Sequence, residues 1–128
     1  MANNLIYVYE KGETMFSEIT VYEVRNNKQK EFESLMQEIQ TYYQTQPGVV
    51  EVKLIKQKSA QTDFNRVIKE ADPEKKSHIV GKVTYVLCLE VESQEIQTIL
   101  SKHILEAYGK EFMKCLSAPP KIIMGERV

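Results

Sequence analysis

Between His78 and Val91 the sequence HIVGKVTYVLCLEV puts Val83, Tyr85, Leu87 and Leu89 on one alternating set of positions and Val80, Val86 and Cys88 on the other. Successive side chains of a strand point to opposite faces, so a strand that is apolar on both sets needs a cover on both sides. A lone sheet with one solvated face is excluded, and the rest of the chain must say what the two covers are.

One cover is written upstream. From Lys28 to Thr45 the apolar residues Phe32, Leu35, Met36, Ile39, Tyr42 and Tyr43 recur at spacings of three and four, on one side of a 3.6-residue helix. Asn26 and Asn27 offer an N-cap for it, and Pro47 and Gly48 stop it. Before it, SEITVYEVR (Ser17 to Arg25) sets Ile19 and Val21 against Tyr22 and Val24 and is predicted as a strand. After it, QPGVVEVKLIKQ begins a second strand, with Val50, Val52 and Leu54 expected on one face. Ser93 caps a second helix. Ile96 stands where a capping box would need an acidic or amide side chain, so there is a cap without the box. Gly109 is expected to break this helix into two pieces, and Pro119 and Pro120 precede a last short strand, Lys121 to Val128.

Strand, helix, strand, strand, helix, strand is the ferredoxin-like βαββαβ order of the α+β class, an antiparallel sheet with both helices on one face. The second face then lacks a cover within the chain. A second copy of the same face supplies one, because twofold homodimers use self-complementary surfaces. All 128 residues are expected in this one domain. Two segments add to the minimal plan: an extra N-terminal strand, about 5–9, and a helical insertion, about 62–72, between strands two and three. The insertion puts Phe64, Val67, Ile68 and Ala71 on one face before Pro73 stops it.

A formal net charge of -1, with Lys and Glu interleaved, leaves no footprint for nucleic acid or an anionic membrane. The apolar run Leu5 to Tyr9 is too short for a signal segment or a membrane span, so a cytoplasmic address is expected. Cys88 and Cys115 are expected to be reduced packing residues. Two histidines with 24 residues between them, and with no cysteine pair or carboxylate at ligand spacing, fit no metal site.

The stretch EVESQEIQTILSKHILEAYGKEFMKCLSAPPKI, and the junction YYQTQPGVVEVKL, resemble the antibiotic-biosynthesis monooxygenase-like group of the dimeric α/β-barrel superfamily. The resemblance implies a ferredoxin-like subunit that dimerises through its sheet, with a small-molecule pocket between sheet and helices. Some relatives oxidise aromatic polyketides or quinols with O2 and no metal or flavin, so no cofactor is expected. Others degrade haem. Many members carry a Trp just before the second helix, where this chain has Glu90, Val91 and Glu92, and the chain has no Trp at all. Haem binding is therefore not carried over.

His103 is the candidate catalytic residue. On a helical wheel Ile96, Ile99, Leu100, His103 and Ala107 share a side, so the imidazole is expected to face the sheet. The resemblance matches it to the His of the group's second helix. There it would bond a phenolic or enolic oxygen or take its proton, its titration lying near neutrality. The alternative is a packed histidine with one satisfied nitrogen. Tyr22 and Tyr85 are candidate donors to a ligand oxygen, and Met36 and Phe112 are candidate pocket-lining residues; for each, core packing is the competing reading. His78 is expected to be solvated. Two functions follow: a cofactor-independent monooxygenase acting on a small hydrophobic or aromatic molecule, or a non-enzymatic homodimer that binds a ligand or serves in interaction.

Overall fold

The computed structural model describes residues 15–58 and 81–128. The expected strand at 5–9, the insertion at 62–72, His78 and Val80 lie outside the described residues. Within them, strand β1 (Phe16–Arg25) leads through a 3-10 turn (Asn26–Lys28) into helix α1 (Gln29–Thr45) and strand β2 (Val49–Lys56). Strand β3 (Lys82–Val91), helix α2 (Gln94–Cys115) and strand β4 (Lys121–Glu126) follow. The strands form one sheet in the order β2-β3-β1-β4, every neighbouring pair antiparallel. Both helices pack on one face of it, as the ferredoxin-like reading requires.

The sheet register sorts the side chains. Tyr22 pairs with Tyr85, Thr20 with Leu87 and Glu18 with Leu89, and these are the positions that face the helices and are buried. The opposite parity carries Ile19, Val21, Ile55, Val86, Cys88 and Ile123, which stand on the outer face. Under the helices, Phe32 is 4.9 Å from Tyr85 and 5.3 Å from Tyr22 between ring centroids, and Tyr22 stacks on Phe112 at 5.4 Å. Such pairs add to stability beyond the area they bury.

Helix ends follow local chemistry. Gln46 precedes Pro47, a position held out of the helical region, and its extended backbone (φ -88, ψ 135) ends α1. Ser93 does cap α2, its Oγ accepting from the Ile96 N–H at 3.3 Å. Three expectations are corrected. Asn26 and Asn27 do not cap α1, because they are taken up in the 3-10 turn, and the residue at the helix start makes no side-chain cap bond. Val50 does not share a face with Val52 and Leu54. A bulge between Val49 and Glu51 turns Val49 to the core and leaves Val50 exposed. Gly109 does not break α2, which runs on through it to Cys115. A mid-helix glycine costs about 1 kcal/mol against alanine, and the buried Phe112 and Cys115 beyond it hold the last turns.

Candidate functional site

Between α2 and the β1–β4 half of the sheet lies an open cavity of about 650 Å³, within the range of small-molecule sites. β1 brings Glu18, Thr20 and Tyr22 to it, α1 brings Tyr43, and α2 brings Gln97, Ser101, Ile104 and Phe112. The far rim is the chain from Leu116 to Pro120 and then Ile122 and Met124 of β4. That rim is tied down: Ser117 N–H donates to the Glu23 carbonyl at 2.8 Å, and Leu116 bridges to Val24. The two prolines then prevent further helix and release the chain into β4.

Among the described residues the walls are mostly apolar, and their polar groups centre on one constellation. Glu18 is 6% exposed, and its carboxylate receives three neutral donors. Thr20 Oγ1 donates to Oε2 at 2.8 Å, Gln97 Nε2 to Oε1 at 2.7 Å, and Ser101 Oγ to Oε1 at 3.1 Å. Gln97 Nε2 also donates to Ser101 Oγ at 2.8 Å, so each member of the cluster holds another. Two phenols sit close by. Burial, and then the Glu18 charge, push both the Tyr22 and Tyr43 hydroxyls well above the ordinary tyrosine range, which keeps them protonated. Among the described residues, no Lys, Arg or His lines the cavity.

The structure brings two of the named candidates together, Tyr22 and Phe112, stacked nearly parallel on the cavity wall. Met36 and Tyr85 are buried in the core beside it and do not line it. The Tyr85 hydroxyl instead donates to Glu33 on α1 at the surface. His103 does not face the sheet as expected; it is exposed, with its ring stacked on Tyr42 of α1 at 4.5 Å. The inward stripe of α2 is Gln97, Leu100, Ile104, Phe112 and Cys115, while Ile99, which the wheel placed inside, is 62% exposed. The wheel was turned by its own logic: it put apolar residues inside, and here the inside residues are partly polar because they serve Glu18. Glu18 itself carried a signal, an acidic residue in an inward alternating set of β1 that runs Phe16, Glu18, Thr20, Tyr22 and Val24.

Cys88 and Cys115 are free thiols, the first on the outer sheet face and the second buried at the end of α2. Among the described residues no group of His, Cys, Asp and Glu is placed to hold a metal ion, and no helix is long and apolar enough to cross a membrane.

No family model matches the sequence, and no curated protein matches it. Solved structures do match. The structure entitled "Putative antibiotic biosynthesis monooxygenase from Nitrosomonas europaea" is similar with a TM-score of 0.65 at 13% identity, over 91% of this chain and 92% of that one. A conserved protein from Methanosarcina mazei Go1 is similar with a TM-score of 0.62 at 13% identity, over 94% and 99%. A mutant of SnoaB, a cofactor-independent oxygenase from Streptomyces nogalater, is similar with a TM-score of 0.58 at 12% identity, over 90% and 96%. At such identities the likeness is one of fold, and the fold is that of the antibiotic biosynthesis monooxygenase-like structures.

Proposed function

We propose that this chain binds a small hydrophobic, aromatic molecule in the cavity beneath α2, and that it oxygenates that molecule with O2 alone. The observation that carries the binding half is the cavity itself: about 650 Å³, open at one side, walled by stacked Tyr22 and Phe112, with one buried polar constellation to orient what enters. An aromatic molecule would gain both area burial and ring contacts there. The oxygenase half is supported by likeness of fold to structures titled as monooxygenases or as a cofactor-independent oxygenase. For an anthrone-type substrate the balance is simple: the methylene carbon loses two hydrogens and gains one oxygen atom of O2, and the other oxygen leaves as water.

A second reading, a ligand-binding homodimer without catalysis, is favoured by the position of His103. The imidazole proposed to hold or take a substrate proton stands at the surface against Tyr42, with Glu18 left as the only charged group on the cavity wall among the described residues. In both readings the protein works as a homodimer through the outer sheet face. There Ile55, Val86 and Val21 form one cross-strand row, and Cys88, Ile19 and Ile123 a second. Ion pairs flank them, Lys82 with Glu23 at 2.8 Å and Arg127 with Glu90 at 3.6 Å. An apolar centre with a charged rim is the anatomy of a protein interface.

Thermal shift with anthrone and a naphthoquinol, followed by oxygen-electrode traces with the same compounds, tests the two halves separately. A raised melting temperature with oxygen uptake above the protein-free rate fits the oxygenase. A raised melting temperature without uptake fits the binder, and no shift with either compound contradicts the site.

A further inference from the structure

Glu18 is an expensive residue for a fold to keep. Desolvating a carboxylate costs several kcal/mol unless its partners make that good, and among the described residues no cation does so: its partners there are Thr20, Gln97 and Ser101. Gln97 and Ser101 in turn spoil the apolar stripe of α2, so three other positions are given over to holding one charge. A leucine at 18 would pack against Leu89 and release all of them. Departures from consistent patterning of this kind concentrate at functional sites.

The proton count shows what the charge is for. Gln97 spends its Nε2 hydrogens on Glu18 and Ser101, and Ser101 and Thr20 spend their hydroxyl protons on Glu18. These three neighbours therefore keep no donor for a ligand, and the donors that remain on the wall, the Tyr22 and Tyr43 hydroxyls, are neutral and cannot offset a second negative charge. An ionised carboxylate offers about four acceptor sites, of which the three donors occupy three, leaving one on Oε2.

We infer that Glu18 selects the head group of the ligand: the cavity takes an apolar ring system bearing a hydrogen-bond donor, a phenol-type hydroxyl or a protonated amine, and rejects the same ring system bearing a carboxylate. This rests on the cavity being the ligand site as proposed above, and adds to it the class of molecule admitted. A donor meets the free acceptor site of Oε2 and forms a charge-assisted bond. An anion meets a buried like charge with no Lys, Arg or His among the described lining residues to offset it.

Isothermal titration with 2-naphthol, 2-naphthylmethylamine and 2-naphthoate, which share one ring system, tests this on the wild-type protein and on Glu18→Gln. The expected result is that the alcohol and the amine bind at least about tenfold more tightly than the carboxylate to the wild type, and that Glu18→Gln removes most of the preference. Equal affinity for all three, or tightest binding of 2-naphthoate, overturns the inference while leaving the cavity as the binding site. Wild-type discrimination that persists in a folded Glu18→Gln overturns the role of Glu18. Failure of all three to bind overturns the cavity reading and this inference with it. The wild-type series stands by itself if the variant does not fold.

Discussion

Gly48 and Gly81 show how a single residue is fixed by its surroundings. Both have left-handed backbones, φ +86 and +92, a conformation that costs other L-residues roughly 1–2 kcal/mol. A Cβ on Gly48 would also come within 2.4 Å of the Ile96 side chain, where one on Gly81 meets nothing within 4 Å among the described residues. Gly48→Ala is therefore expected to lower stability by more than Gly81→Ala in paired urea melts, and equal losses would show that Ile96 yields without penalty. Tyr85 gives a second prediction. Its hydroxyl bond, and then Lys56, hold the half-exposed Glu33 carboxyl below the usual carboxylate range. A depressed folded-state value contributes stability above the ordinary range and loses it as pH falls through the folded value. Tyr85→Phe should thus cost up to about 1 kcal/mol near neutrality, discounted by solvent at Glu33, and the difference from wild type should shrink on acidification through the carboxylate range. A gap that widens on acidification would contradict the assignment. The residue scale is also where the sequence was hardest to read. Tyr22 and Phe112 were legible as aromatic residues on apolar faces, but Glu18, Gln97 and Ser101 are polar at inward positions, and they make sense only when β1 and α2 are seen together. His103 was misplaced for the same reason.

Elements were more legible than their ends. The three- and four-residue spacing of α1 and the alternation of β1 and β3 survive in the structure because burial of whole faces decides them. The bulge at Val49–Glu51 and the unbroken α2 depend on tertiary contacts that no local pattern records. The Ser93 cap was readable, since it needs only a side-chain oxygen before a helix. Ser93→Ala should destabilise the protein by about 1 kcal/mol, as loss of an N-cap does. Because α2 carries one wall of the cavity, the same change is expected to weaken 2-naphthol binding as the first turn frays. Calorimetric melting and titration on the one variant check both, and unchanged melting would mean that packing of Leu100 and Ile104 alone holds the helix start.

At the scale of the whole molecule the sheet has two faces with two proposed duties, the inner one to bind and the outer one to pair. Val86→Asp places a charge in the centre of the outer apolar rows, and sedimentation should find the variant monomeric where the wild type is a dimer. A wild type that sediments as a monomer at micromolar concentration would remove the proposed interface. β4 separates the two duties within one step of the chain. Ile122 pairs with Thr20 and lines the cavity, whereas its neighbour Ile123 pairs with Ile19 on the outer face. Both are more than half exposed in the single chain, at 51% and 67%, so a larger side chain fits at 122, and at 123 it presses on the proposed dimer face and not on the cavity. The most direct measurement is titration of 2-naphthol into Ile122→Trp and Ile123→Trp beside the wild type. Blocking the cavity mouth at 122 should weaken binding by about tenfold or more, and the same indole at 123 should leave it unchanged. Equal binding by all three proteins would contradict the assignment of this cavity as the ligand site.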